Sequence, residues 1–193
     1  MKYRGSDNEK EILPNKPGLN SKQEIEIEEY YGFLRAALVY EAELKNINTF
    51  NWKLIASIHK TALSHLYEFA GRLRTVNISK GGFPFPAAKY LDRAVKNFEK
   101  DFLLLLPKAI ESNDELIKVV APIHAELLYI HPFREGNGRT ARLFANIMSL
   151  KYGFNRFSFD YLKPNKMEEY IAAVQSAADK NYQPMVNLFK SLP

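Results

Sequence analysis

Apolar residues recur three and four positions apart between residues 21 and about 46, at Ile27, Tyr30, Tyr31, Leu34 and Leu38. This spacing predicts a long amphipathic α-helix with those five on its apolar face. A second helix is predicted from Asn51, whose side chain suits an N-cap, to about residue 67. The pattern then changes. β-Branched residues alternate within residues 72–85 and meet the turn signal Gly81-Gly82, which predicts a short hairpin. Helical periodicity resumes near residue 87, halts at Pro107, and restarts after Ser112, where Glu115 completes a capping-box spacing. That helix is expected to end near Tyr129. Another should run from Gly138 to about Tyr152, followed by a loop through Pro164 and helices near 165–178 and 182–192.

Residues 1–20, with Gly5, Pro14, Pro17 and Gly18, read as an arm that wraps the domain or stays loose. Residues 21–193 show no repeat, low-complexity tract or second linker. The expected fold class is therefore all-α: one helical domain with a small β-hairpin.

Composition narrows the chemistry. The 193 residues are 46% hydrophobic, enough for a sizeable core, and include no cysteine. Disulfide scaffolds, thiolate zinc sites and cysteine nucleophiles are thereby excluded. The densest apolar run, Phe102 to Leu106, is far short of the roughly 20 residues that cross a bilayer, so no membrane association and a cytoplasmic location are expected. The net charge of +5 favours an anionic partner. Lysine and arginine are nevertheless scattered, and Glu24, Glu26, Glu28 and Glu29 make the first helix acidic, so direct nucleic-acid binding is not expected.

One segment concentrates reactive groups where one helix ends and the next begins: His131-Pro-Phe-Arg-Glu-Gly-Asn-Gly-Arg-Thr-Ala-Arg142. Pro132 blocks continuation of the preceding helix. Gly136, Asn137 and Gly138 permit positive φ and a close backbone approach, so successive N–H groups can form an anion-binding nest opening into a helix N-terminus. Arg139 and Arg142, three apart, project toward that nest. Glu135 is a hard oxygen ligand of the kind Mg²⁺ accepts beside phosphate oxygens. His131 is the loop's one side chain with a neutral lone pair near pH 7, as a general base for a hydroxyl requires. Individually, a histidine before proline or a Gly-Asn-Gly turn is ordinary. The conjunction points to a nucleotide site.

This segment closely resembles the signature of the Fic family, His-Pro-Phe-x-(Asp/Glu)-Gly-Asn-Gly-Arg-x-x-Arg, with every fixed position present. Residues 70–82 resemble the family's flap hairpin, His124-Ala-Glu126 the end of its preceding helix, and Tyr170 to Pro184 its C-terminal helices. The resemblance implies a Mg²⁺-dependent transfer of AMP from ATP to a hydroxyl of a target protein. His131 would deprotonate the hydroxyl, which attacks the α-phosphate in line as pyrophosphate leaves. Glu135 would hold the metal, residues 136–138 would cradle the phosphates, and Asn137 and Arg139 would contact them. Arg142 would reach the γ-phosphate and Tyr170 would line the adenine pocket. Ile78, Ser79, Lys80, Gly81, Gly82, Phe83 and Phe85 would form the docking flap, pairing main chain with an extended target segment. Gly138, where the related phosphotransferase branch has lysine, favours nucleotidyl transfer; UTP and CDP-choline stay open as donors.

Many members carry an inhibitory helix with (Ser/Thr)-x-x-x-Glu-(Gly/Asn). Here Ser64 and Glu68 are followed by Phe69, and Ser176 leads to Lys180, not glutamate. The expectation is a toxin restrained in trans by a small antitoxin supplying the glutamate, with a type IIA topoisomerase subunit as a plausible target. A basic helical nucleic-acid-binding module is the reading from a different class, and scattered charge speaks against it. A zinc deaminase using His124 and Glu126 fails for want of cysteine, and no P-loop sequence occurs.

Overall fold

The computed structural model describes residues 12–162 and 166–193. Among them are seven α-helices: α1 (Lys22–Ala42), α2 (Trp52–Leu63), α3 (Leu91–Asp101), α4 (Asn113–Ile130), α5 (Asn137–Lys151), α6 (Met167–Ser176) and α7 (Gln183–Lys190). Ser79–Lys80 (β1) and Phe83–Pro84 (β2) form one antiparallel pair. The all-α class with a small hairpin is what the sequence predicted. No helix among the described residues is long and apolar enough to cross a membrane.

Local chemistry sets the boundaries. The Asn51 side chain caps α2, accepting the Leu54 N–H at 2.8 Å. Ser112 caps α4 through the Glu115 N–H at 3.2 Å, while Glu115 reaches back one residue further than a capping box requires, to the Glu111 N–H. Three expected elements are shorter. Helix α2 stops at Leu63 instead of near residue 67, and α3 covers only Leu91–Asp101, with 3₁₀ turns at Ala88–Tyr90 and Leu103–Leu105. The hairpin pairs only around its Gly81-Gly82 turn, where both glycines have positive φ. The expected loop end at Pro164 and helix start at Asn165 lie outside the described residues, as do residues 1–11 of the arm. Within the arm, Lys16 N–H donates to the Leu66 carbonyl at 2.9 Å, tying it to the turn that follows α2.

Helix α1 is turned relative to its sequence pattern. Ile27, Tyr30, Tyr31, Leu34 and Leu38 are 45–64% exposed, whereas Ile25, Glu29, Gly32, Phe33 and Ala36 are buried. The cause is close packing on α2: a Cβ on Gly32 would lie 2.1 Å from the Ala62 carbonyl oxygen. Gly32 sits on that face because backbone approaches backbone at that point.

Helix α4 is the core. Leu116, Val120, Ala121 and Ala125 are wholly buried, with Ile130 2% exposed, and α5, α6 and α7 pack around them. A second cluster joins α1 to α2 through Phe33, Ala36, Leu63 and Leu66. The segment between α4 and α5 lies where these two layers meet.

Candidate active site

At the end of α4, His131 serves as C-cap in the left-handed region, φ 49° and ψ 58°. A non-glycine residue there costs roughly 1 kcal/mol or more, and the surroundings hold it in place. Its N–H donates to the Leu127 carbonyl, and its own carbonyl accepts from Arg74 Nε at 2.7 Å. The turn that follows is closed by Asn137, whose side chain takes both polar groups of Phe133, Oδ1 from its N–H and Nδ2 to its carbonyl, each at 2.8 Å. Phe133 itself is buried between the rings of Trp52 and His59.

His59 is a strut the sequence did not reveal. The Gly71 N–H donates to its Nδ1 at 2.8 Å, so the ring proton sits on Nε2 and is given to the Glu135 carbonyl at 2.9 Å. Burial, with Arg139 adding to it, lowers its pKa to about 4. This neutral ring fixes the backbone just ahead of Gly136. Gly136 alone of the three nest residues has positive φ, and a Cβ there would meet Leu63 at 2.8 Å.

Helix α5 begins without a side-chain cap, and the Thr140 N–H to Gly136 carbonyl bond is its first. The amides of Asn137, Gly138 and Arg139 therefore precede the intrahelical ladder at the positive end of the helix dipole. Gly138 is helical and not left-handed. Its missing Cβ leaves room for Arg142, whose Nη1 would otherwise be 3.3 Å from it.

These elements face a cavity of about 610 Å³ lined by His131, Arg134, Glu135, Asn137, Gly138 and Arg139, with Ile78, Ser79 and Lys80 on the hairpin side and Glu29 and Tyr67 opposite. The His131 Nδ1 donates to the Leu128 carbonyl at 3.1 Å, leaving the Nε2 lone pair unclaimed. Burial depresses its pKa to about 4, and Arg74 and Lys80 push in the same direction. The ring is thus neutral at pH 7, and Phe85 stacks on it at 3.9 Å. Glu135 keeps one oxygen on the Gly136 N–H at 2.7 Å and is about half exposed at the cavity. A single half-exposed carboxylate beside free amides suits Mg²⁺, which takes most of its ligands from water and phosphate.

The two arginines diverge. Arg139 reaches toward α1, where Glu29, 7% exposed in its side chain, accepts from Nη2 at 2.6 Å and from the Tyr67 hydroxyl at 2.8 Å. Burial and Glu29 together drive the Tyr67 pKa far up. Arg142 does not line the cavity. Its charge acts on the nearby Tyr170; the Tyr170 hydroxyl donates to His124 Nε2 at 2.7 Å, and His124 Nδ1 donates to the Ala141 carbonyl. Tyr170, expected at an adenine pocket, is buried in this chain of bonds and is not among the cavity-lining residues. Asn137, expected at the phosphates, spends its side chain on Phe133 while bordering the cavity. Of the expected flap, Ile78, Ser79 and Lys80 line the cavity; Gly81, Gly82, Phe83 and Phe85 do not, although Phe85 stacks on His131.

Glu29 was hidden in an acidic run that reads as solvated surface, and Tyr67 was assigned to the second helix. Arg74 offered no signal at all.

Comparison with known proteins places this geometry in context. The Fic/DOC family profile matches residues 49–149. The "Protein adenylyltransferase Fic" of Nematostella vectensis is 30% identical over 146 residues, 75% of this chain and 32% of that protein. The "Protein adenylyltransferase VbhT" of Bartonella schoenbuchensis is 25% identical over 185 residues, 91% of this chain and 37% of the relative. The chain thus spans about a third of the length of these curated relatives. Among solved structures, the N-terminal Fic domain of a Bartonella quintana effector superposes with a TM-score of 0.75 at 22% identity, covering 93% of this chain and 87% of that one. BepC of Bartonella tribocorum, with bound AMPPNP, gives 0.71 at 20% identity, covering 93% and 91%. At these identities the structures establish the fold.

Proposed function

The chain belongs to the Fic/DOC family, and from that membership we propose that it is a Mg²⁺-dependent protein adenylyltransferase, moving AMP from ATP to a hydroxyl side chain of another protein. The observation that carries this reading is the state of His131: Nδ1–H is spent on the Leu128 carbonyl, so a neutral Nε2 lone pair is left beside the uncapped start of α5. A hydroxyl oxygen placed between that nitrogen and the α-phosphorus gives its proton to Nε2 and forms the new P–O bond. The bond to pyrophosphate breaks in line, and the leaving group takes its electron pair. The amides of residues 137–139 and the Arg139 guanidinium offset the charge on the phosphates, so catalysis rests on positioning and charge neutralisation. Glu135 would hold the metal, which when bound would supply neutralising positive charge at the phosphates. The adenylyl transfer for which the relatives are named, and an ATP analogue bound in a structural neighbour, support the same reading.

Regulation belongs to the proposal too. Arg142 meets Tyr170 and no carboxylate among the described residues, while Lys180, at the place where an inhibitory glutamate would follow Ser176, pairs with Glu126 at 2.6 Å. Restraint in trans by a small partner that brings a glutamate to Arg142 fits this arrangement, as a toxin restrained by an antitoxin would be. A topoisomerase subunit is one target to assay.

The test is incubation of the purified protein and its His131→Ala variant with α-³²P-ATP and Mg²⁺ in bacterial lysate. A labelled protein band that disappears with His131→Ala supports the proposal. Label that persists in the variant removes His131 as the base, and absence of label from a folded protein sends the donor assignment to UTP and CDP-choline.

A further inference from the structure

Arg74 is 4% exposed, and its side-chain partners among the described residues are carbonyl oxygens only. Nε reaches His131 at 2.7 Å and Nη1 reaches Val76 at 2.7 Å; Nη2 reaches Pro86 at 2.6 Å and, at 3.5 Å, Ile130. Its own N–H donates to the Pro132 carbonyl at 2.8 Å. Val76 and Pro86 are the two feet of the hairpin, and Ile130 and His131 are the end of α4. Burying a cation with no carboxylate beside it is costly, and a simple space-filling anchor has no need of one. What the guanidinium adds is a rigid fan of donors able to grip several backbone segments at once, at a helix C-terminus whose dipole favours positive charge.

We propose that Arg74 is a positioning residue that couples the hairpin to His131. By bridging both feet of the hairpin to the His131 carbonyl, it keeps Phe85 stacked over the imidazole and holds His131 in its left-handed conformation. An extended segment docking along the hairpin then meets a base whose aim is already set. The functional half of this inference rests on the transferase reading; the structural half does not.

The experiment compares wild type with Arg74→Lys and Arg74→Met by amide hydrogen exchange over residues 76–86 and 128–132, followed by transfer kinetics. Arg74→Lys keeps the charge and most of the stem but loses the fan, so it carries the test if Arg74→Met fails to fold. In Arg74→Lys, exchange of the hairpin amides should rise about 10-fold or more, and kcat should fall on the order of 10- to 100-fold. The KM for ATP should stay constant, because Arg74 does not line the cavity. Adding Phe85→Ala to Arg74→Lys should cost little more, as expected of residues acting through one contact. Wild-type exchange in the hairpin of Arg74→Lys, or rate losses that multiply fully with Phe85→Ala, overturns the proposal. Should the wild-type protein transfer nothing from ATP, UTP or CDP-choline, the transferase reading fails while the exchange comparison still decides the coupling.

Discussion

The carboxylate of Glu29 and the guanidinium of Arg139 meet at 2.6 Å across 110 positions of sequence, joining α1 to the first turn of α5. The carboxylate is almost wholly buried and also receives the Tyr67 hydroxyl. Arg139 is only partly buried and keeps Glu135 at 3.4 Å, so the main cost of Glu29→Ala is the two lost bonds at a buried site, and the variant should be destabilised by about 1–3 kcal/mol. Glu29→Gln keeps one accepting oxygen, for Arg139, and puts an NH2 beside the Tyr67 hydroxyl, which can turn to accept from it, so this variant should lose less. Urea denaturation of the two variants checks this, and a wild-type midpoint for Glu29→Ala would show that the pair contributes nothing.

This pair marks where sequence reasoning stopped. The run His131 to Arg142 was legible because its parts are adjacent in sequence and sit at a helix start, so spacing alone implied a nest, a base and a carboxylate near one another. The helices around it were legible from periodicity and caps, with Asn51 and Ser112 placed to the residue. Glu29, His59, Tyr67 and Arg74 act on the same segment from a distance. Their partners are main-chain groups or residues that only tertiary packing brings near, and no local pattern distinguishes a buried glutamate from its solvated neighbours. The α1 pattern misled for a physical reason: its longer apolar stripe is exposed, and the packed face combines Ile25, Phe33 and Ala36 with Glu29 and with Gly32, which lets the backbone approach α2.

Tyr170→Phe should separate orientation from packing. The substitution keeps the buried ring and removes the hydroxyl that satisfies His124 Nε2 beside Arg142. Leaving that buried nitrogen without a donor costs about 1–3 kcal/mol. If Arg142 serves the triphosphate as the family signature implies, the KM for ATP should rise several-fold, on the order of 3–10, with kcat nearly constant. An unchanged KM in the folded variant would place Arg142 outside nucleotide binding.

Three rings make stability sensitive to mild acid. Burial lowers the pKa of His59 and His131 to about 4 and that of His124 to about 3, with Arg139, Arg74 and Lys80, and Arg142 respectively adding to the effect. In the unfolded chain each titrates near 6.5. The folded form therefore refuses protons that the unfolded form accepts: the stabilisation is complete above about pH 6.5 and is lost as pH falls toward 4. At pH 5 unfolding should take up nearly one proton per ring. Asp114, held down to about 2 by Lys118 and Lys190, titrates below this window. Urea midpoints at pH 7, 6 and 5 should fall steadily, and a constant midpoint would mean that these rings reach solvent in the folded protein.

Gly32 offers the sharpest test of how α1 is seated, because two effects predict opposite signs. On helix propensity alone Gly32→Ala should stabilise by up to about 1 kcal/mol. In place, the new methyl would lie 2.1 Å from the Ala62 carbonyl oxygen and 2.8 Å from the His65 ring. The first of these is backbone inside α2 and cannot turn aside, so α1 must lift, loosening Phe33 and Ala36 and drawing Glu29 away from Arg139. Overpacking of this kind costs about 1–3 kcal/mol, which outweighs propensity, and Gly32→Ala should be destabilised. Leu34→Ala, on the opposite, 45% exposed face, should change stability by no more than about 0.5 kcal/mol. If the urea midpoints come out reversed, with Leu34→Ala weakened and Gly32→Ala strengthened, then α1 packs through its apolar stripe after all, and the Glu29–Arg139 pair would be lost with that rotation.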